Sequence, residues 1–150
     1  MNIEEIKERV GYACKHISDT KPEVWYTTEW NICSHLRSFL DEAFSDYDVD
    51  VELVKRDGRR PDIVIHDRGN NLNNLIVFQA KKNPNAKDIQ EDLDKIKETF
   101  FAAPYFYKFG IFISIGKLPG VLPEFDVEKI GIIEVYGWAL DQREDNNIQV

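Results

Sequence analysis

Cysteine is nearly missing from this chain of 150 residues: Cys14 and Cys33 stand alone, beside a single methionine. Both fall in helix-like segments, which argues against a disulfide framework or a thiolate zinc site; they read as small core residues in a reducing compartment. Long apolar runs are missing too. Nothing approaches the roughly 20 residues of a membrane span, and the opening MNIEEIKERV is acidic and amphipathic where a secretory leader is basic and then apolar. The expectation is a cytoplasmic protein with no membrane partner. Positive charge is scarce: Lys and Arg total 19 against 27 Asp and Glu, a net of −8. That balance opposes loose attraction to nucleic acid, so any such binding must be local.

What is present is enough for one domain over residues 1–150. A composition that is 43% hydrophobic and 12% aromatic supports a single core. No repeat, linker or low-complexity segment interrupts it apart from a polar tail over 141–150. The acids gather at the N-terminus, in DEAFSDYDVD, in IQEDLDK and in the tail, while KRDGRR and KKNPNAK form basic islands.

Helical spacing of Ile3, Ile6, Val10, Ala13, Cys14 and Ile17 predicts a first helix over 3–17, ended by SDTKP and lying outside a core of about 27–138. Thr27 or Thr28 can cap a second helix, whose Ile32, Leu36, Phe39, Leu40 and Phe44 form its apolar face. Val49, Val51 and Leu53 then alternate, Asp57-Gly58 reads as a hairpin turn, and strands follow at Pro61–Asp67 and Leu75–Lys82. Asn83-Pro84-Asn85 opens a helix carrying Ile89, Leu93, Ile96 and Phe100, and further strands follow at Phe109–Ile115 and Gly131–Trp138. The helix between the third and fourth strands serves as a crossover, so a mixed sheet of about five strands with helices on both faces is expected.

Polar residues inside those strands can be placed by parity, because side chains alternate between faces. Leu75, Val77, Gln79 and Lys81 share one face; Ile76, Phe78, Ala80 and Lys82 share the other. In an antiparallel hairpin the start of one strand lies beside the end of the next, which brings Asp62 toward Gln79 and Lys81. Glu29 falls three, seven and eleven residues before Ile32, Leu36 and Leu40, an acid on the core-facing stripe of its helix. Its simpler use is to complement the helix dipole.

Pro61-Asp62 followed by Gln79-Ala80-Lys81 resembles the signature of the PD-(D/E)xK phosphodiesterase superfamily, and the likeness extends from about Thr27 to Ile115. The resemblance implies a restriction-endonuclease-like three-layer α/β/α fold. It also implies a nuclease acting on nucleic acid, DNA ahead of RNA, with Mg²⁺ or Mn²⁺ as cofactor. Asp62 would ligate the cation, joined by the Gln79 side-chain carbonyl, the Ala80 backbone carbonyl and Glu29, while Lys81 would orient or help deprotonate the attacking water. Gln79 departs from the pattern: most of the superfamily has an acid there, and the amide removes one negative charge from the cation site. The alternative is a module that keeps the fold without the chemistry, its acidic surface engaging a protein partner or forming a homodimer. His66 shares a strand face with Asp62 but lies deeper and reads as structural. Glu52 is a weaker acidic neighbour. Tyr105, Phe106, Tyr107 and Phe109 precede IFISI and read as core.

Overall fold

The computed structural model of the protein describes residues 1–51, 61–68 and 73–135. Leu53, Glu52, the Asp57-Gly58 turn, the KRDGRR island, positions 136–138 of the last expected strand and the tail over 141–150 lie outside them.

Helix α1 spans Ile3–Thr20, one turn longer than the apolar stripe requires. The extra turn is held by polar groups: the Thr20 hydroxyl donates to the His16 carbonyl at 2.6 Å and the Lys15 ammonium to Asp19 at 3.2 Å. Pro22 ends the run, having no N–H to continue it, and starts a short 3₁₀ turn over Pro22–Tyr26. Helix α2 covers Glu29–Ala43. Thr28 is the residue that caps it, accepting from the Asn31 amide at 3.2 Å, while the Thr27 hydroxyl donates back to the Val24 carbonyl at 2.7 Å. Helix α3, Ala86–Lys95, opens on a reciprocal capping box between Asn85 and Asp88. It runs into a single π turn over Ile96–Phe100.

Five strands form one sheet: β1 Asp48–Val51, β2 Ile63–His66, β3 Ile76–Lys82, β4 Phe109–Ile115 and β5 Ile130–Val135. They lie in the order of the chain. The β1–β2 and β2–β3 pairs are antiparallel, and the β3–β4 and β4–β5 pairs parallel. The crossover through α3 makes the change of direction possible, so the sheet is mixed, and the apolar runs in β3 and β4 match its cover on both faces.

Parity sorts the core into two layers. Ile63, Ile65, Ile76, Phe78, Ile111 and Ile113 pack with the buried stripes of α1 and α2. Val64, Val77, Phe112 and Ile130 pack with Ile89, Leu93, Ile96 and Phe100 on the other face. The protein is therefore an α/β domain with helices on both sides of an open sheet. Helix α1 supplies seven buried residues and belongs to the first layer together with α2. Two expectations shift. Leu75 precedes the first residue of β3, so strand alternation does not bind it, and it packs in the α1/α2 layer, away from Val77. Tyr105 and Tyr107 are buried, but Phe106 sits between them at φ 50°, which turns its ring outward to 60% exposure.

Candidate functional site

Strand direction gathers the sequence-predicted residues at one end of the sheet. Because β2 runs antiparallel to β3 while β4 runs parallel, the start of β2 meets the carboxyl ends of β3 and β4. Ile63 faces Phe78, so the next step of that register sets Asp62 beside Gln79, on the face toward α3. The Asp62 amide donates to the Phe78 carbonyl at 3.2 Å, and the Ala80 amide donates to Asp62 Oδ2 at 2.7 Å. A carboxylate thus takes the rung that a backbone carbonyl would fill had β2 begun earlier. Gln79 is 3% exposed; Lys81, on the same strand face, is half-buried.

Glu29 approaches the same strand end from the other layer. As the first residue of α2, it accepts from the Lys82 amide through Oε2 at 2.9 Å. The Lys82 side chain returns the link, its ammonium donating to the Thr27 carbonyl at 2.8 Å. Adjacent lysines are therefore divided by parity: Lys82 ties β3 to the start of α2, and Lys81 points into the α3 layer, within electrostatic reach of Asp92.

The electrostatics identify a member that sequence reading passed over. Burial pushes the Asp62 carboxyl up to about 6, with the Asp92 and Glu29 carboxylates adding to the rise and the Ala80 amide and Lys95 opposing it. The Asp92 carboxyl is also raised, first by burial; Lys95 and Lys81 pull it down, and Asp88 and Glu29 push it up. Asp92 on α3 thus closes the third side of a cluster with Asp62, Glu29, Lys81 and Lys95. A signal for it was present, since position 92 lies three after Ile89 and four before Ile96, inside the apolar stripe. The same reasoning had singled out Glu29.

Two buried side-chain atoms in this region lack a hydrogen-bond partner, Gln79 Nε2 and Glu134 Oε1. Both sit on the α3 face. Lys81 lies opposite Ser114 and Ser114 opposite Glu134, so the row of polar residues continues across β4 and β5. Glu134 Oε2 accepts from the Leu118 amide, and the Ser114 hydroxyl donates to the Gly116 carbonyl at 2.8 Å.

Among the described residues, no three His, Cys, Asp or Glu side chains converge closely enough to hold a metal ion by themselves. Asp62, Glu29 and Asp92 surround the strand end without sharing one point. A cation here would need its remaining donors from amide and peptide oxygens, and Gln79 and Ala80 carry these beside Asp62. Such an all-oxygen set suits a hard divalent cation. The orphaned end of Gln79 is consistent with that use, because rotating the amide half a turn puts its carbonyl oxygen in the unpartnered position. The other candidates fall away. His66 Nε2 lies 2.7 Å from Asp50 Oδ2 between β1 and β2, and Cys14, pushed up to about 12 by burial, is an inert core thiol. Glu52 is outside the described residues.

No family model, curated protein or solved structure matches the chain. The chemistry of the site is read from its own residues. No described helix is long and apolar enough to cross a membrane.

Proposed function

We propose that the chain is a nuclease of the PD-(D/E)xK type, hydrolysing phosphodiester bonds with a divalent cation at the end of β3. The observation that carries this reading is the placement of Asp62, Gln79 and Lys81 on one face at one sheet end, with the Asp62 carboxyl half-buried and raised. Perturbed carboxylates concentrate at functional sites because burying a charge costs stability that a purely structural residue would avoid.

Asp62, the Gln79 carbonyl and the Ala80 carbonyl would hold Mg²⁺ or Mn²⁺, with Glu29 reaching it through the oxygen that Lys82 does not occupy. When bound, the cation supplies charge neutralisation on the phosphate and lowers the pKa of a bound water. Lys81 has the part of orienting that water and countering charge that develops on the phosphoryl oxygens, and its ammonium balances Asp92 until substrate arrives. Asp92 and Lys95 set the field in which Asp62 gives up its proton. The test is cleavage of plasmid and single-stranded substrates in Mg²⁺ or Mn²⁺ by the parent chain and by Lys81→Ala; turnover that survives the substitution removes the reading.

A second reading draws on the hydrogen bonds themselves. Asp62 and Glu29 each accept from a β3 amide, as purely structural carboxylates would. A non-catalytic module that binds a protein or a second copy of itself then remains, and it predicts no turnover with any cation.

A further inference from the structure

Four aromatic side chains among the described residues stand largely in solvent: Tyr12, Tyr26, Trp30 and Phe106. Their positions differ in a way that bears on the proposed site. Phe106 precedes β4, whose first residue pairs with the first residue of β3, so it lies at the far end of the sheet from Asp62 and Lys81. Tyr12 lies mid-helix on α1, its ring 5.4 Å from that of His16. Tyr26 and Trp30 instead bracket Glu29. Tyr26 comes immediately before Thr27, whose carbonyl holds the Lys82 ammonium at 2.8 Å, and Trp30 immediately after Glu29, whose carboxylate holds the Lys82 amide at 2.9 Å. They are 57% and 56% exposed.

The segment that carries them is well fixed. Trp25 is buried and donates from Nε1 to the Ser18 hydroxyl at 2.9 Å, and the Asn31 amide group donates to the Thr27 hydroxyl at 3.0 Å. A fixed backbone segment, tied through Glu29 and Thr27 to the end of β3 from the α1/α2 layer and carrying two largely exposed rings, is a surface suited to flat, apolar-faced ligands. Bases in a duplex have their faces covered by their neighbours, whereas unpaired bases do not. A net charge of −8 withholds general phosphate attraction from duplex and single strand alike, so stacking on exposed rings, which only unpaired bases offer, is the attraction that separates the two.

We propose that Tyr26 and Trp30 form a stacking platform for unpaired bases, making single-stranded nucleic acid the substrate class of the site. The inference rests on the phosphodiesterase reading for its ligand, and its measurement does not depend on cleavage. Stacking on an aromatic side chain tolerates any base, so the platform selects strandedness and leaves sequence unread.

The experiment titrates labelled short single-stranded DNA and RNA, and a hairpin duplex of matching composition, into the protein in EDTA. Anisotropy and tryptophan fluorescence are followed for the parent, Tyr26→Ala, Trp30→Ala and Trp30→Phe. Expected are single-strand binding in preference to duplex, quenching of tryptophan emission, affinity about tenfold to a hundredfold weaker in each alanine variant, and retention in Trp30→Phe. The platform is overturned by equal affinity for duplex, by alanine variants that bind single strands like the parent, or by a parent that binds neither. Single-strand binding that persists while no cation supports turnover keeps the platform and removes the phosphodiesterase reading. Cation-dependent cleavage whose KM ignores both alanine changes does the reverse.

Discussion

Asp62 Oδ2 accepts the Ala80 amide at 2.7 Å, so one carboxylate is both the last rung of the β2–β3 ladder and the acid of the candidate site. Burial pushes the Asp62 carboxyl up to about 6, with Asp92 and Glu29 adding to the rise, even though the Ala80 amide favours the ionised form.

The first prediction follows from that shift. The folded-state pKa of about 6 lies above the ordinary carboxylate value near 3.9, so the folded chain holds the Asp62 proton more tightly than the unfolded chain does. The associated stability is fully present below about pH 4 and is lost as pH rises through 6. Asp62→Asn keeps an acceptor for Ala80 and cannot ionise. Thermal denaturation should show the variant gaining on the parent between about pH 4 and 7, by roughly 3 kcal/mol at most at ~1.4 kcal/mol per unit. A difference that stays flat over this range contradicts the assignment.

Cation binding should carry the same signature with the opposite dependence on pH. Calorimetric titration with Mn²⁺ is expected to give heat in the parent and none in Asp62→Ala, with affinity rising about tenfold per pH unit toward 6 and levelling above it. Gln79→Glu, which adds the missing charge, should bind Mn²⁺ about tenfold more tightly and lose stability in EDTA, because it buries a second carboxylate beside Asp62.

The two lysines should separate cleanly. Lys81→Ala should abolish cation-dependent cleavage while changing folding stability by less than about 0.5 kcal/mol. Lys82→Ala removes the ammonium bond to the Thr27 carbonyl and should cost about 1.5 to 3 kcal/mol in urea denaturation. Equal loss of stability in both would mean that parity does not divide their roles.

Glu29 should respond to the nature of its replacement. Glu29→Gln retains an oxygen for the Lys82 amide, whereas Glu29→Ala leaves that amide without its acceptor, at about 1 to 3 kcal/mol. Denaturation of the pair reads the difference directly, and two variants of equal stability would show that the bond contributes little.

Gly116 sits at φ 121°, and a Cβ there would clash with Asn83 Oδ1, just past the ends of β4 and β3. Gly116→Ala should cost on the order of 1–3 kcal/mol, and less in an Asn83→Gly background that removes the clash but not the backbone strain. Thermal melts of the single and double variants test this.

Much of the sheet could be read beforehand because strand alternation is strict. Once β3 was recognised, Val77, Gln79 and Lys81 had to share a face, and the hairpin partner had to bring Asp62 alongside. Parity fails where the strand ends: Leu75 precedes the first bridged residue, and the positive φ of Phe106 reverses its side chain. Asp92 was missed although it falls within the apolar stripe of α3, because an acid among many on a charged helix reads as solvated until the strand it covers is known. The link from Glu29 to the Lys82 amide spans 53 positions, and no local pattern announces which amide a helix-start acid will meet.

The Lys82 amide offers a way to watch that link without any substrate. A backbone proton held by a carboxylate exchanges with solvent deuterium at a rate set by how often the acid lets go. If a divalent ion draws on the free oxygen of Glu29, the clasp between helix and strand should tighten or loosen as the ion arrives. The exchange rate at one position would then report occupancy of the whole pocket.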